Sequence, residues 1–168
     1  PVREPLAELE DAEARYADSF AAEQYEQAGI AAAQMVTLTT EIYGSESLEY
    51  ALAASDLAAI QSKTGDLQAA AANYGKAVSL IEEQEGIVAP QLIKPLMGLA
   101  AVQNAQGEWE RGLETYNRAL RLNHVELGLN NIEQMPIRDG LTESYLGLGS
   151  IAEANFQQEV QMRIVRDE

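Results

Sequence analysis

Chemistry in this chain would have to start from a short inventory. His124 is the one histidine, and imidazole is both the side chain that titrates near neutral pH and a common metal ligand. Glu126 stands two positions on, but two ligands without a third do not make a metal site. At the end of a helical segment, His124 instead complements the helix dipole. Glu82, Glu83 and Glu85 cluster at the end of another such segment and read as a solvated run rather than a cation site. Glu23 and Glu26 are spaced for one helix face, yet nothing around them indicates the buried setting that acid–base work requires. The chain has no cysteine, which removes a thiolate nucleophile, a disulfide framework and a Cys-ligated zinc. No glycine-rich phosphate loop, Ser/His/Asp set or nucleophile elbow occurs. The inventory implies a non-catalytic chain without cofactor or metal.

Composition narrows the partners. The 168 residues suffice for one ordinary domain, and an apolar fraction of 46% suits a folded core. Eleven basic against 27 acidic side chains leave a net charge of −16. Phosphate backbones and anionic membrane surfaces need clustered Lys and Arg, so neither is an expected partner. A basic peptide or protein would be attracted, and its binding would weaken with salt. The longest charge-free run, Gln27 to Thr40, is 14 residues, short of the roughly 20 that span a bilayer.

The elements that must carry any site follow from an internal repeat. Shifting the sequence by 42 positions aligns residues 57–86 with 99–128 at nine identities, among them Gly65/Gly107, Tyr74/Tyr116, Ala77/Ala119 and Gly86/Gly128. Composition alone would supply roughly two or three. The same offset pairs Ala28, Ala70, Gly112 and Ala154, and the length divides into four units: 3–44, 45–86, 87–128 and 129–168. Such a period signals a repeat architecture.

Within a unit the apolar spacing is helical. Leu52, Ala53, Leu57 and Ile60 form one face, Thr64-Gly65-Asp66 interrupts, and Leu67, Ala70, Tyr74, Ala77, Val78 and Ile81 form the next. Gly65 supplies a left-handed residue and Asp66 a cap for the following helix. Repeat three copies the scheme with Leu96, Leu99, Ala100 and Val102, then Gln106-Gly107-Glu108, then Trp109, Leu113, Tyr116, Ala119 and Leu120. Eight helices and no strands are expected, an all-α chain. In repeat one, Leu6, Leu9, Tyr16 and Phe20 make the first stripe. Small residues at Ala28, Ala70, Gly112 and Ala154 mark close helix crossings, with Tyr74, Tyr116 and Trp109 filling the space around them. Pro5, Pro95 and Pro136 fit first helical turns, so the first helices of repeats three and four start later than that of repeat two. Gly140, Gly147 and Gly149 predict a loose fourth repeat, because glycine inside a helix costs about 1 kcal/mol.

The runs from Gly65 to Leu80 (GDLQAAAANYGKAVSL) and from Gly107 to Leu122 (GEWERGLETYNRALRL) resemble the second-helix signature of the tetratricopeptide repeat. The 42-residue spacing, with a glycine after the second helix, is similar to the longer variety found in kinesin light chains and many bacterial proteins. The resemblance is strong over 45–128, fair over 129–160 and weak over 1–24. It implies a right-handed superhelix, a solenoid of antiparallel helix pairs whose concave groove holds a protein or peptide.

That groove would be lined by first helices. The matching positions are Leu52, Ser55, Ala59, Ser62 and Lys63 in repeat two. Repeat three supplies Lys94, Met97, Ala101, Asn104 and Ala105, and repeat four Asp139, Glu143 and Leu146. Small side chains would admit a partner backbone closely, with Ser62 and Asn104 hydrogen-bonding it. A chaperone-tail clamp is not implied, since Leu52 and Met97 stand where polar groups are required. Two functions follow: an interaction scaffold, or a sensory or regulatory module that binds a small ligand or autoinhibits a further domain.

The last helix carries Ile151, Ala154, Val160, Ile164 and Val165 with nothing later to cover them; self-association or further chain is expected to bury this face. Glu168 aligns with Glu126, two residues before the next boundary glycine would fall, which points to a longer parent. A start at Pro1 rather than Met points to a trimmed chain and favours an exported protein whose leader has been removed.

Overall fold

The computed structural model describes residues 3–167; Pro1 and Glu168, on which the readings of the chain ends rest, lie outside the described residues. Eight α-helices follow in order: α1 (Arg3–Ala21), α2 (Tyr25–Tyr43), α3 (Leu48–Thr64), α4 (Leu67–Glu85), α5 (Ile93–Ala105), α6 (Trp109–Leu127), α7 (Met135–Gly147) and α8 (Ile151–Asp167). Short turns fold consecutive helices into antiparallel pairs. The helices fall into two compact units, one ending at Gly86 and the other beginning at Ile87. In the first, α1 packs on α2, α2 on α3 and α3 on α4; in the second, α5 packs on α6, α6 on α7 and α7 on α8.

The turns obey a half-repeat of 21 residues. Gly44, Gly65, Gly86, Gly107, Gly128 and Gly149 all have positive φ, and Glu23 completes the ladder at φ 57°. Gly65 (φ 89°, ψ 4°) ends α3 in the left-handed region, and its N–H reaches back into the last turn. Asp66 Oδ1 then accepts from Ala69 N at 3.2 Å to start α4, the cap expected from the sequence. Repeats three and four open on 3-10 turns, Pro90–Leu92 and Ile132–Gln134. These occupy the positions of the first residues of α3, so α5 and α7 do begin later, with Pro95 and Pro136 in their first turns.

Alanine carries the core. In the first unit Leu9, Ala12, Tyr16, Ala28, Ala31, Ala32, Met35, Leu38, Ala53 and Ile60 form one buried cluster, with Phe20 packed against it. Ala28, Ala58, Ala70, Ala100 and Ala154 are fully enclosed, as the crossing argument requires. Gly112 takes the crossing further: a Cβ there would lie 2.0 Å from Asn104 Oδ1 and 3.3 Å from the Ala100 carbonyl oxygen.

Two of the three glycines singled out in repeat four make room for aromatic rings. A Cβ on Gly140 would meet the Tyr116 ring at 2.0 Å, and one on Gly147 would meet the Trp109 indole at 2.2 Å. Both glycines let an aromatic ring of α6 lie on the backbone of α7, so packing recovers what helix propensity loses. The apolar face expected on α8 also divides. Ala154 and Ile164 turn inward with Gln157, whereas Ile151 and Val165, joined by Phe156 and Met162, are exposed.

Candidate interaction surfaces

The first helices present the candidate surface. In the first unit, α3 exposes Leu52 (39%) and Lys63, with Ala59 and Ser62 half-buried. In the second, α5 exposes Lys94, Ala101 and Ala105 with Met97 half-buried, and α7 exposes Asp139, Glu143 and Leu146 (51%). Two of the positions derived from the resemblance face inward instead. Ser55 is 2% exposed and Asn104 is 1% exposed. Asn104 cannot hydrogen-bond a partner, because its amide is engaged at both ends: Nδ2 donates to the Gly140 carbonyl at 3.3 Å, and Oδ1 accepts from Ser144 Oγ at 2.9 Å. Ser55 Oγ is buried without a hydrogen-bond partner.

His124, singled out as a possible ligand, belongs to a polar core at the junction of α6 and α7. Its Nε2 lies 3.2 Å from Gln134 Oε1, which also accepts from Arg138 Nε at 2.7 Å. Arg138 Nη1 donates to Gln157 Oε1 of α8 at 2.6 Å. Gln134 Nε2 donates to the carbonyls of Leu129 and Asn131, and Asn131 Nδ2 donates to Asn123 Oδ1 at 2.9 Å. Burial pulls the Arg138 guanidinium below its ordinary pKa, and amide oxygens stabilise its charge. The signal for this cluster lies in the repeat: Asn123, Gln134 and Arg138 stand 42 residues after Ile81, Leu92 and Leu96, each of which is buried. Hydrogen-bonding side chains thus stand at positions that are apolar core in the preceding repeat, and they are satisfied within one network.

A second polar feature lies in the first unit. Tyr16 of α1 donates its hydroxyl to the Asp56 carbonyl of α3 at 3.4 Å. Burial first, and then the Asp56 charge, raise the phenols of Tyr16 and Tyr74, the latter to about 12. Neutral phenols at a helix crossing are structural groups rather than acids or bases.

Among the described residues no group of three or more His, Asp or Glu side chains could hold a metal ion, and no helix is long and apolar enough to cross a membrane. The surface hollows are open ones. One of about 510 Å³ is lined by Tyr43, Gly44, Ser45, Glu46, Ser47 and Gln84, and one of about 280 Å³ lies beside α6.

No family model matches the chain, and no curated protein matches it significantly. Solved structures do. BtubC (BKLC) from P. vanneervenii superposes with a TM-score of 0.77 at 16% identity, over 86% of this chain and 58% of BtubC, so the chain spans less than two thirds of that protein. The nearly identical TPR-like repeats of a kinesin light chain from Podosopora anserina superpose with a TM-score of 0.71 at 18% identity, covering 97% of this chain and 75% of theirs. MamA protein gives a TM-score of 0.54 at 14% identity, over 94% of this chain and 91% of its own. Together with the 21-residue ladder of turns, these likenesses establish that the chain has the fold of the tetratricopeptide-type helical repeats.

Proposed function

We propose that the chain is a non-catalytic scaffold that holds a peptide or protein along the exposed faces of its first helices. The observation that carries this reading is the character of those faces. Leu52 on α3 and Leu146 on α7 are exposed aliphatic side chains on helices whose opposite sides are fully buried. The other candidate positions are mostly small or charged: Ala59, Ser62 and Lys63 in one unit, and Lys94, Ala101, Ala105, Asp139 and Glu143 in the other, with the half-buried Met97 the apolar exception. Short side chains let a partner backbone approach, while the flanking charges set its register. With a net charge of −16, the favoured partner is basic, and its association weakens as salt screens the attraction.

The test is a binding assay on a partner captured from the native extract, repeated with Leu52→Glu and Leu146→Glu and at rising salt. Loss of binding in both variants supports the reading; unchanged binding in both contradicts it. A second reading, self-association through α8, is favoured by the exposure of Ile151, Met162 and Val165 along one side of that helix, since clustered exposed apolar side chains mark contact surfaces. Sedimentation velocity of the wild type and of Met162→Glu tests it: a dimer abolished by the substitution supports this reading, and a monomer at every concentration contradicts it.

A further inference from the structure

A second surface, distinct from the first-helix faces and opposite in charge preference, lies on the second unit. On α6, Arg118, Arg121, Leu122 and Val125 follow the i, i+3, i+4, i+7 spacing of one helix face. The Ile87–Val88 segment before α5 lies alongside, and Arg118 holds it there by donating from Nη2 to the Ile87 carbonyl oxygen at 3.3 Å. Together these six residues line a hollow of about 280 Å³. Its walls are unusually apolar for a solvated loop and helix: Ile87 is 70% exposed, Val88 66% and Val125 76%, over a buried Leu122. The hollow is open to solvent, and its apolar walls suit an inserted aliphatic side chain. Arg121 stands exposed at the rim.

The charge of the rim runs against that of the chain. Residues 87–168 carry seven of the 11 basic side chains, and two of them line this hollow. Guanidinium groups recognise carboxylates with two parallel hydrogen bonds. We propose that this hollow docks an acidic, aliphatic peptide segment of a partner protein, a Leu or Ile side chain entering between Ile87, Val88 and Val125 while an adjacent Asp or Glu pairs with Arg121. Arg118 is the positioning residue that builds the wall by holding Ile87. The first-helix faces take no part, so this surface stands or falls separately from them.

The experiment uses the whole chain and a short fluorescein-labelled peptide of alternating leucine and glutamate. Controls replace glutamate by lysine or leucine by serine. Fluorescence anisotropy gives the affinity, and amide chemical shifts map the contact. Saturable binding is expected for the leucine–glutamate peptide alone, with shifts at Ile87, Val88, Arg121 and Val125. Binding is expected to weaken at least tenfold in Arg121→Glu and in Val125→Asp, both exposed substitutions, and to be unchanged in Arg163→Glu on α8. Equal binding of the lysine peptide, retained affinity in Arg121→Glu, or shifts confined to the first helices would overturn the proposal. So would a dimer that Val125→Asp dissociates, because the hollow would then be filled by a second copy.

Discussion

Ser144 Oγ donates a 2.9 Å hydrogen bond to Asn104 Oδ1, joining α7 to α5 across 40 positions of chain in a site closed to water. The same amide donates to the Gly140 carbonyl, so one side chain satisfies two polar groups on the neighbouring helix. Replacing Asn104 by Ala removes both bonds but leaves Ser144 Oγ on the Gly140 carbonyl at 3.0 Å, so the expected cost, about 1–3 kcal/mol, is the net worth of two hydrogen bonds. Ser144→Ala should cost about 1 kcal/mol, and the double variant less than the sum because the two share a bond. Urea denaturation measures all three; a change below about 0.5 kcal/mol in Asn104→Ala would show that the bond contributes nothing.

Two glycines inside helices should respond oppositely to alanine. Gly75 in α4 has open space where a Cβ would go, whereas at Gly140 the Tyr116 ring occupies it. Gly75→Ala is expected to stabilise by about 0.5–1 kcal/mol through helix propensity. Gly140→Ala should destabilise by about 1–3 kcal/mol through overpacking. Thermal denaturation of the two variants settles the sign of each.

Glu23 occupies the left-handed rung that Gly65, Gly107 and Gly149 occupy in later repeats. A residue with a Cβ is strained there by roughly 1–2 kcal/mol, part of which glycine returns to the unfolded chain as entropy. Glu23→Gly should therefore raise stability by about 0.5–1 kcal/mol. A lower melting temperature for this variant would contradict the assignment.

Alkaline pH should act through the tyrosines. Tyr74 titrates at about 12 in the folded chain, and Tyr16 is raised further, against about 10 when unfolded. A raised folded pKa means that the unfolded state loses protons first, so the stability these phenols contribute is intact below pH 10 and falls as pH rises toward 12. Absorbance at 295 nm should show Tyr16 and Tyr74 ionising only with unfolding. Tyr74→Phe should flatten the loss of stability above pH 10, and an unchanged slope would argue against the shift.

The helix pairs were legible because their determinants are local and repeated. Gly65 and Asp66 announce a turn by conformation and capping alone, and the 42-residue offset places the same turn at Gly107 and Gly149. The delayed start of α5 and α7 followed from Pro95 and Pro136. What escaped depended on contacts between distant positions. Gly140 and Gly147 carry the propensity cost of glycine, and the rings of Tyr116 and Trp109 that lie on them belong to α6, which propensity within α7 does not count. Asn104 and Ser55 matched exposed positions by analogy, yet a rotation of less than half a turn decides whether such a residue faces a partner or a neighbouring helix. The Gln134–Arg138 cluster was visible in principle, as polar residues 42 positions after buried aliphatic ones, but the side chains that satisfy them come from three separate elements.

The central claim is that partners are held on the first helices, and position-specific photocrosslinking tests it most directly. A benzophenone amino acid would be placed singly at Leu52, Lys63, Ala101 and Leu146, and for comparison at Ala72 and Ser79 on α4, all exposed. Each variant would be irradiated in native extract at low and high salt. The expected result is one common crosslinked protein from the first-helix positions, diminished at high salt, with none from Ala72 or Ser79. Crosslinks from the second-helix positions alone would contradict the account.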